Sequence, residues 1–214
     1  MMILAALAAP SGLVLAQPQP SLDSDEYAWR DDFGITTAWQ TRPDWVSNPS
    51  PAPSATSSDG VACFRVDEPG RGMKWSRSLP RVSLAESPWL VMRYRAQNLE
   101  RAREDYLVYL QDGHAGRELA PVKARDLIAD GQWHMLGVDV SALTDRPSVD
   151  LMAVQVQATP AGQARLWVDW IGFSDAPPGD ANIIRPASQT PARDRKSTRL
   201  NSSHSDRSRM PSSA

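Results

Sequence analysis

Three runs of the chain alternate apolar and polar residues with period two, and their polar members have the chemistry of a recognition surface. In 91–96, Met92, Tyr94 and Ala96 oppose Val91, Arg93 and Arg95. In 106–111, Tyr106, Val108 and Leu110 oppose Leu107, Tyr109 and Gln111, and in 154–158, Val154, Val156 and Ala158 oppose Gln155 and Gln157. That period belongs to a half-buried strand. If Tyr94, Val108 and Val156 face a core, then Arg93, Arg95, Tyr109, Gln111, Gln155 and Gln157 face the other way. Should their strands share a sheet, they form a polar face with an aromatic on it. A flat ring stacks on C–H groups, and amides and guanidinium groups bind paired hydroxyls, so such a face suits a sugar. The bland alternative is a plain solvated surface. Trp39 and Trp45 lie in a loop-like stretch, ITTAWQTRPDW. Exposed indoles there need a partner, so they read either as stacking platforms or as lids over a sheet end.

Catalytic chemistry has little to stand on. His114 and His134 are isolated, without metal-ligand spacing. The chain has no G-x-S-x-G, P-loop or H-E-x-x-H. Asp31-Asp32 and Glu104-Asp105 are adjacent carboxylates, which alternate faces in a strand and do not oppose each other across a bond. No catalytic residue is assigned. Cys63, the only cysteine, sits in the apolar run Val61–Phe64 and reads as a small buried hydrophobe.

The elements that must position these residues are short β-type runs. They are 27–34, 61–66, 72–79, 89–96, 106–111, 133–140, 151–158 and 164–173, separated by turn signals such as Glu68-Pro69-Gly70 and Pro160-Ala161-Gly162. Asn48–Gly60 reads as a Pro/Ser/Ala loop, and Leu99–Glu104 and Val122–Ala129 as a helical turn or two each. About eight strands over residues 25–175 predict an all-β, antiparallel jelly-roll sandwich.

Composition agrees. The chain has 214 residues, a net charge of −2, 41% hydrophobic and 22% charged residues. Those values exclude collagen, a disordered acidic tail and a polytopic membrane protein. No basic footprint for nucleic acid is present. Five Lys/Arg against two Asp fall in 194–214, leaving 18 against 23 in the remainder, which is therefore acidic. With one cysteine the core must stand without disulfides.

The ends read differently from the middle. Residues 1–16 resemble a secretory signal peptide, too short to span a bilayer comfortably, and 17–24 are a polar lead. Residues 176–193 read as a Pro-rich linker. DRKSTRLNSSH at 194–204 and SRMPSSA at 208–214 resemble translated sequencing-adapter read-through, so 194–214 reads as a non-native disordered tail. A secreted or periplasmic, monomeric module without a membrane span is expected.

The second half carries a family resemblance. Asp130-Gly131-Gln132-Trp133-His134 followed by Val138-Asp139-Val140-Ser141-Ala142-Leu143 is similar to the D-G-x-W-H … V-D-L-S-x-L stretch of carbohydrate-binding-module-like jelly rolls. Leu166–Phe173 resembles their last strand, and Asp31-Asp32-Phe33-Gly34 with Trp39 resembles their opening. Together these resemble the galactose-binding-domain-like superfamily over about residues 25–175. The resemblance implies an eight- to nine-stranded sandwich that binds polysaccharide and rides as an N-terminal accessory part on a secreted glycan-active enzyme. It also implies a structural Ca²⁺, with Asp169 matching the last-strand aspartate and Asp31 or Asp32 approaching it. The rival readings are an extracellular structural or protein-interaction sandwich, and a small polysaccharide hydrolase.

Overall fold

Strands with one apolar side need a second sheet to cover it. The computed structural model, which describes residues 27–101, 106–111, 118–141 and 148–185, supplies that cover. Twelve strands are present among the described residues. They are β1 (Tyr27–Asp31), β2 (Gln40–Thr41), β3 (Ser54–Ser58), β4 (Val61–Val66), β5 (Gly72–Ser83), β6 (Trp89–Gln97), β7 (Tyr106–Gln111), β8 (Glu118–Lys123), β9 (Trp133–Asp139), β10 (Ser148–Gln157), β11 (Ala164–Ser174) and β12 (Asn182–Ile184). A seven-stranded sheet runs β12-β9-β6-β11-β4-β3, with β1 added beside β11, and a five-stranded sheet runs β2-β5-β10-β7-β8. Every strand pairing is antiparallel except β12 with β9. The expected all-β antiparallel sandwich is the observed architecture.

β11 is the spine of the larger sheet. β6 lines one edge from Arg165↔Gln97 to Ser174↔Trp89. β4 takes the first half of the other edge and β1 the second. An irregularity between Val168 and Trp170 shifts the alternation, so Ala164, Leu166 and Val168 and then Ile171 and Phe173 all enter the core. Phe64, Tyr94 and Leu136 from this sheet meet Trp75, Val108 and Val154 from the other, none more than 1% exposed. The buried Tyr94 hydroxyl accepts the Ile128 N–H at 2.9 Å, and burial pushes its pKa up.

Four strands lie outside the runs expected from sequence. β3, SATSS, falls in the stretch read as a loop. It is an edge strand whose ladder to β4 uses backbone groups, while only Ala55 reaches the core. β8 contains Pro121, which an edge strand tolerates because one side needs no N–H. β2 is two residues long. β12 lies in the stretch read as a linker. After Ser174 the chain crosses the outer side of β6 and β9, and β12 then pairs with β9. Ala181 joins a small outer cluster of Val91, Met135 and Trp170 with Tyr27 and Trp89. Gly137 leaves room there for Pro177, Ala181 and Ile183, whose carbons lie 3.0–3.5 Å from where a Cβ would be. The domain therefore reaches at least Ile184. The expectations for 1–24 and 186–214, and those for His114 and Glu104-Asp105, fall outside the described residues.

Candidate functional site

Alternation in β10 decides which side chains leave the core. Met152, Val154 and Val156 point between the sheets, and Gln155 and Gln157 point away. Register places Gln155 opposite Lys74, Gln157 opposite Gly72, and Ala153 between Ser76 and Tyr109. The Tyr109 hydroxyl donates to Gln155 Oε1 at 2.7 Å, and Lys74 Nζ lies 3.8 Å from the Tyr109 ring centroid. Gln157 Nε2 donates to the Gly70 carbonyl at 2.8 Å. Its Oε1 occupies the space a Cβ at Gly72 would fill, so a side chain there would push it away. Gln111 lies on the same side, opposite Leu151. Trp45 arrives from the Pro43–Trp45 3-10 turn after β2. Arg42 Nε donates to Ser76 Oγ at 2.7 Å, and its guanidinium lies 5.4 Å from the Trp45 ring centroid, which ties the indole to the rim of this face. A recess of about 310 Å³ opens beside them, lined by Gln40, Arg42, Ser76 and Ser78 among others. Lys74, Ser76, Tyr109, Gln155 and Gln157 are each no more than 8% exposed. A lysine so buried on the outer side of a sheet belongs to a recessed polar floor rather than to an ordinary solvated face.

Arg93 and Arg95 do not join that floor. β6 lies in the seven-stranded sheet, so the outward residues of β6 and of β7 and β10 emerge on opposite sides of the sandwich. The expectation of one shared face is corrected accordingly: Trp45, Tyr109, Gln111, Gln155 and Gln157 share a face, and Arg93 and Arg95 lie across the molecule. There, register sets Trp133, Arg95, Trp167, Cys63 and Thr56 in a row across β9, β6, β11, β4 and β3. The Arg95 guanidinium lies 4.0 Å from the Trp167 centroid and 5.4 Å from that of Trp133. Arg93 lies 4.9 Å from Trp133 and pairs with Asp169. Arg65 and Arg165 both pair with Asp67, and the Arg65 hydrogen bond foremost holds its carboxyl below the usual range. Burial pushes the Cys63 thiol up in pKa, against the pull of Arg165, Arg65 and Arg95. The sequence alone does not single out Trp133 and Trp167 as members of a surface. Their outward phase in β9 and β11 was the available signal.

Trp39 is a core residue, which corrects its reading as a stacking platform. It is 4% exposed, stacked on Phe33 with centroids 5.6 Å apart and edge-on to Phe64. Asp31 holds it there: Trp39 Nε1 donates to Asp31 Oδ2 at 2.8 Å, Phe33 N donates to Oδ1 at 2.9 Å, and Arg77 pairs with the same carboxylate. The three aspartates expected at Ca²⁺ do not fit a shared ion. Asp31 is turned into that core network, while Asp32 pairs with Arg30 at 2.6 Å and Asp169 with Arg93. Asp32 and Asp169 do meet, with Asp59 and Gly60, around a recess of about 220 Å³, but Arg30 and Arg93 line it too. Guanidinium groups in the lining oppose a hard divalent cation. Among the described residues no group of three His, Cys, Asp or Glu could hold a metal, and no helix is long and apolar enough to cross a membrane.

No family model and no curated protein matches the chain. Among solved structures it is similar to a non-crystalline cellulose specific carbohydrate-binding module, CBM28, at 12% identity and TM-score 0.42, over 67% of this chain and 91% of that one. It is also similar to a low affinity xylan binding module, CBM86, of Roseburia intestinalis, at 9% identity and TM-score 0.37, over 68% and 92%. A third is the cellulose induced protein Cip1, at 10% identity and TM-score 0.41, over 74% and 99%.

Proposed function

We propose that this chain is a non-catalytic glycan-binding module whose site is the outer face of the five-stranded sheet, carried as an exported accessory part of a glycan-active enzyme. The observation that carries the reading is the recessed floor of Lys74, Tyr109 and Gln155, with Trp45 at its rim. Trp45 supplies a flat ring for a pyranose C–H face. Gln155, Gln157 and Ser76 supply donors and acceptors for hydroxyls, and the Tyr109–Gln155 bond and the Lys74–Tyr109 contact fix the floor before a ligand arrives. The apolar run at 2–16 supports export.

Affinity electrophoresis in gels containing soluble neutral polysaccharides (hydroxyethylcellulose, xylan, galactan) tests the proposal. At least one should retard the protein. Trp45→Ala should weaken that binding about tenfold, equivalent to about 1.4 kcal/mol, and Gln155→Ala should weaken it too. Retardation by none of them, or equal retardation of wild type and both variants, would exclude this face as a glycan site.

A further inference from the structure

The seven-stranded sheet also presents an organised outer face. Its β6–β9 portion near Gly137 is covered by the chain after Ser174. The portion carrying Trp133, Arg95, Trp167, Cys63 and Thr56 is not under that crossing. Arg95 is the unusual residue. Among the described residues its guanidinium has two indole contacts but no hydrogen bond or ion pair, and its Nε is buried without an acceptor. A buried guanidinium donor normally finds an oxygen. Arg93, Arg65 and Arg165 have carboxylates; Arg95 has none. With Arg93 on Asp169 and Arg65 and Arg165 sharing Asp67, Arg95 is, among the described residues, the cation of the strip that no carboxylate neutralises. Stacking between two rings holds the guanidinium plane, and a fixed fork of N–H donors matches a carboxylate better than a point charge would.

We infer that this strip is a second binding site, for the carboxylate of an acidic polysaccharide, a polymer bearing uronic acid residues. The carboxylate takes the donors of Arg95 and is drawn by Arg165 and Arg65. The sugar ring carrying it lies against Trp133 or Trp167, which stand about 10 Å apart, two strand spacings. Thr56, exposed on edge strand β3 two strands beyond Trp167, offers a hydroxyl at the end of the strip. This site is independent of the neutral-glycan face, which lies across the sandwich.

Polygalacturonate is the probe, with its carboxyl-reduced, neutral form and dextran sulfate as the other arms. Affinity electrophoresis at low salt should show retardation by polygalacturonate that weakens as salt rises. Reduction of the carboxyls should abolish it. Arg95→Ala should weaken it tenfold or more, a loss of about 1.4 kcal/mol, and Arg95→Lys should restore only part. Thr56→Glu alters an exposed edge residue without disturbing the Trp–Arg stack, and the added charge should also reduce binding. Occupancy should slow iodoacetamide alkylation of Cys63, the neighbour of Trp167 on β4. Trp45→Ala should leave all of this unchanged, which separates failure here from failure of the first site. Equal binding of polygalacturonate by wild type and Thr56→Glu, or retardation by dextran sulfate as strong as by polygalacturonate, would overturn the assignment. The latter would leave a nonspecific anion surface.

Discussion

Asp31 holds together more of this molecule than its position in the charged run Arg30-Asp31-Asp32 suggests. Its two oxygens take the Trp39 indole N–H, the Phe33 amide and the Arg77 guanidinium while the residue is only 6% exposed. Phe33 has φ of 50°, unusual for a bulky residue, and Asp31 Oδ1 together with the Ser57 hydroxyl on the Phe33 carbonyl secures it. Asp31→Ala leaves two buried N–H groups and a partly buried cation without their acceptor. A loss of about 3 kcal/mol is expected in urea denaturation, with red-shifted tryptophan emission. Asp31→Asn, which still accepts from Trp39, should lose less. Cys63 and Tyr94 make a prediction about pH. Burial raises both pKa values above those of the unfolded chain. Their contribution is therefore complete below the unfolded values, 9.0 for the thiol and 10.0 for the phenol, and is lost as pH rises from there through the higher folded values. Melting temperature should be flat near neutrality and fall on the alkaline side, and Cys63→Ala should remove the earlier part of that fall.

At the scale of elements, the chain beyond β11 is part of the sandwich. Truncation after Ser174 removes β12 from its pairing with β9 and takes Ala181 off Val91, Met135 and Trp170. The melting temperature should drop by on the order of 5 °C, as expected for a loss of about 1–2 kcal/mol in a domain this size, while binding at Trp45 is retained. A truncation that melts like the full chain would show that the crossing adds nothing to the domain. This segment was not legible as structure, because Pro177, Pro178 and Gly179 look like a linker and β12 is three residues long with no alternation to display. The central strands were legible, since β6, β7 and β10 each turn an apolar side to the core and their sequences alternate. What alternation cannot convey is partnership. Arg95 and Gln155 have the same phase within their strands, and only the sheet order, which depends on long-range pairing, sends them to opposite faces. The Trp39 environment was hidden for a related reason: its deciding partner, Asp31, is eight residues away around a loop.

On the whole-molecule scale, two recognition faces back to back on one rigid core make a prediction about additivity. The floor around Tyr109 and the strip around Arg95 are separated by both sheets, whose packed planes lie about 10 Å apart. Side chains that distant and without shared partners contribute additively to free energies. Trp45→Ala should weaken neutral glycans alone and Arg95→Ala acidic ones alone, and the double variant should show each loss unchanged. A polysaccharide carrying both neutral and uronic segments has a further option. A single chain folded around the sandwich, or neighbouring chains of a wall matrix, can occupy both faces at once, and the second contact is then made at high effective concentration. Retention on such a matrix should exceed that on either pure polymer, and either single variant should reduce it to the level of the pure polymer still recognised. Retention by the single variants equal to wild type would mean that the faces never act together, even where each binds its own ligand.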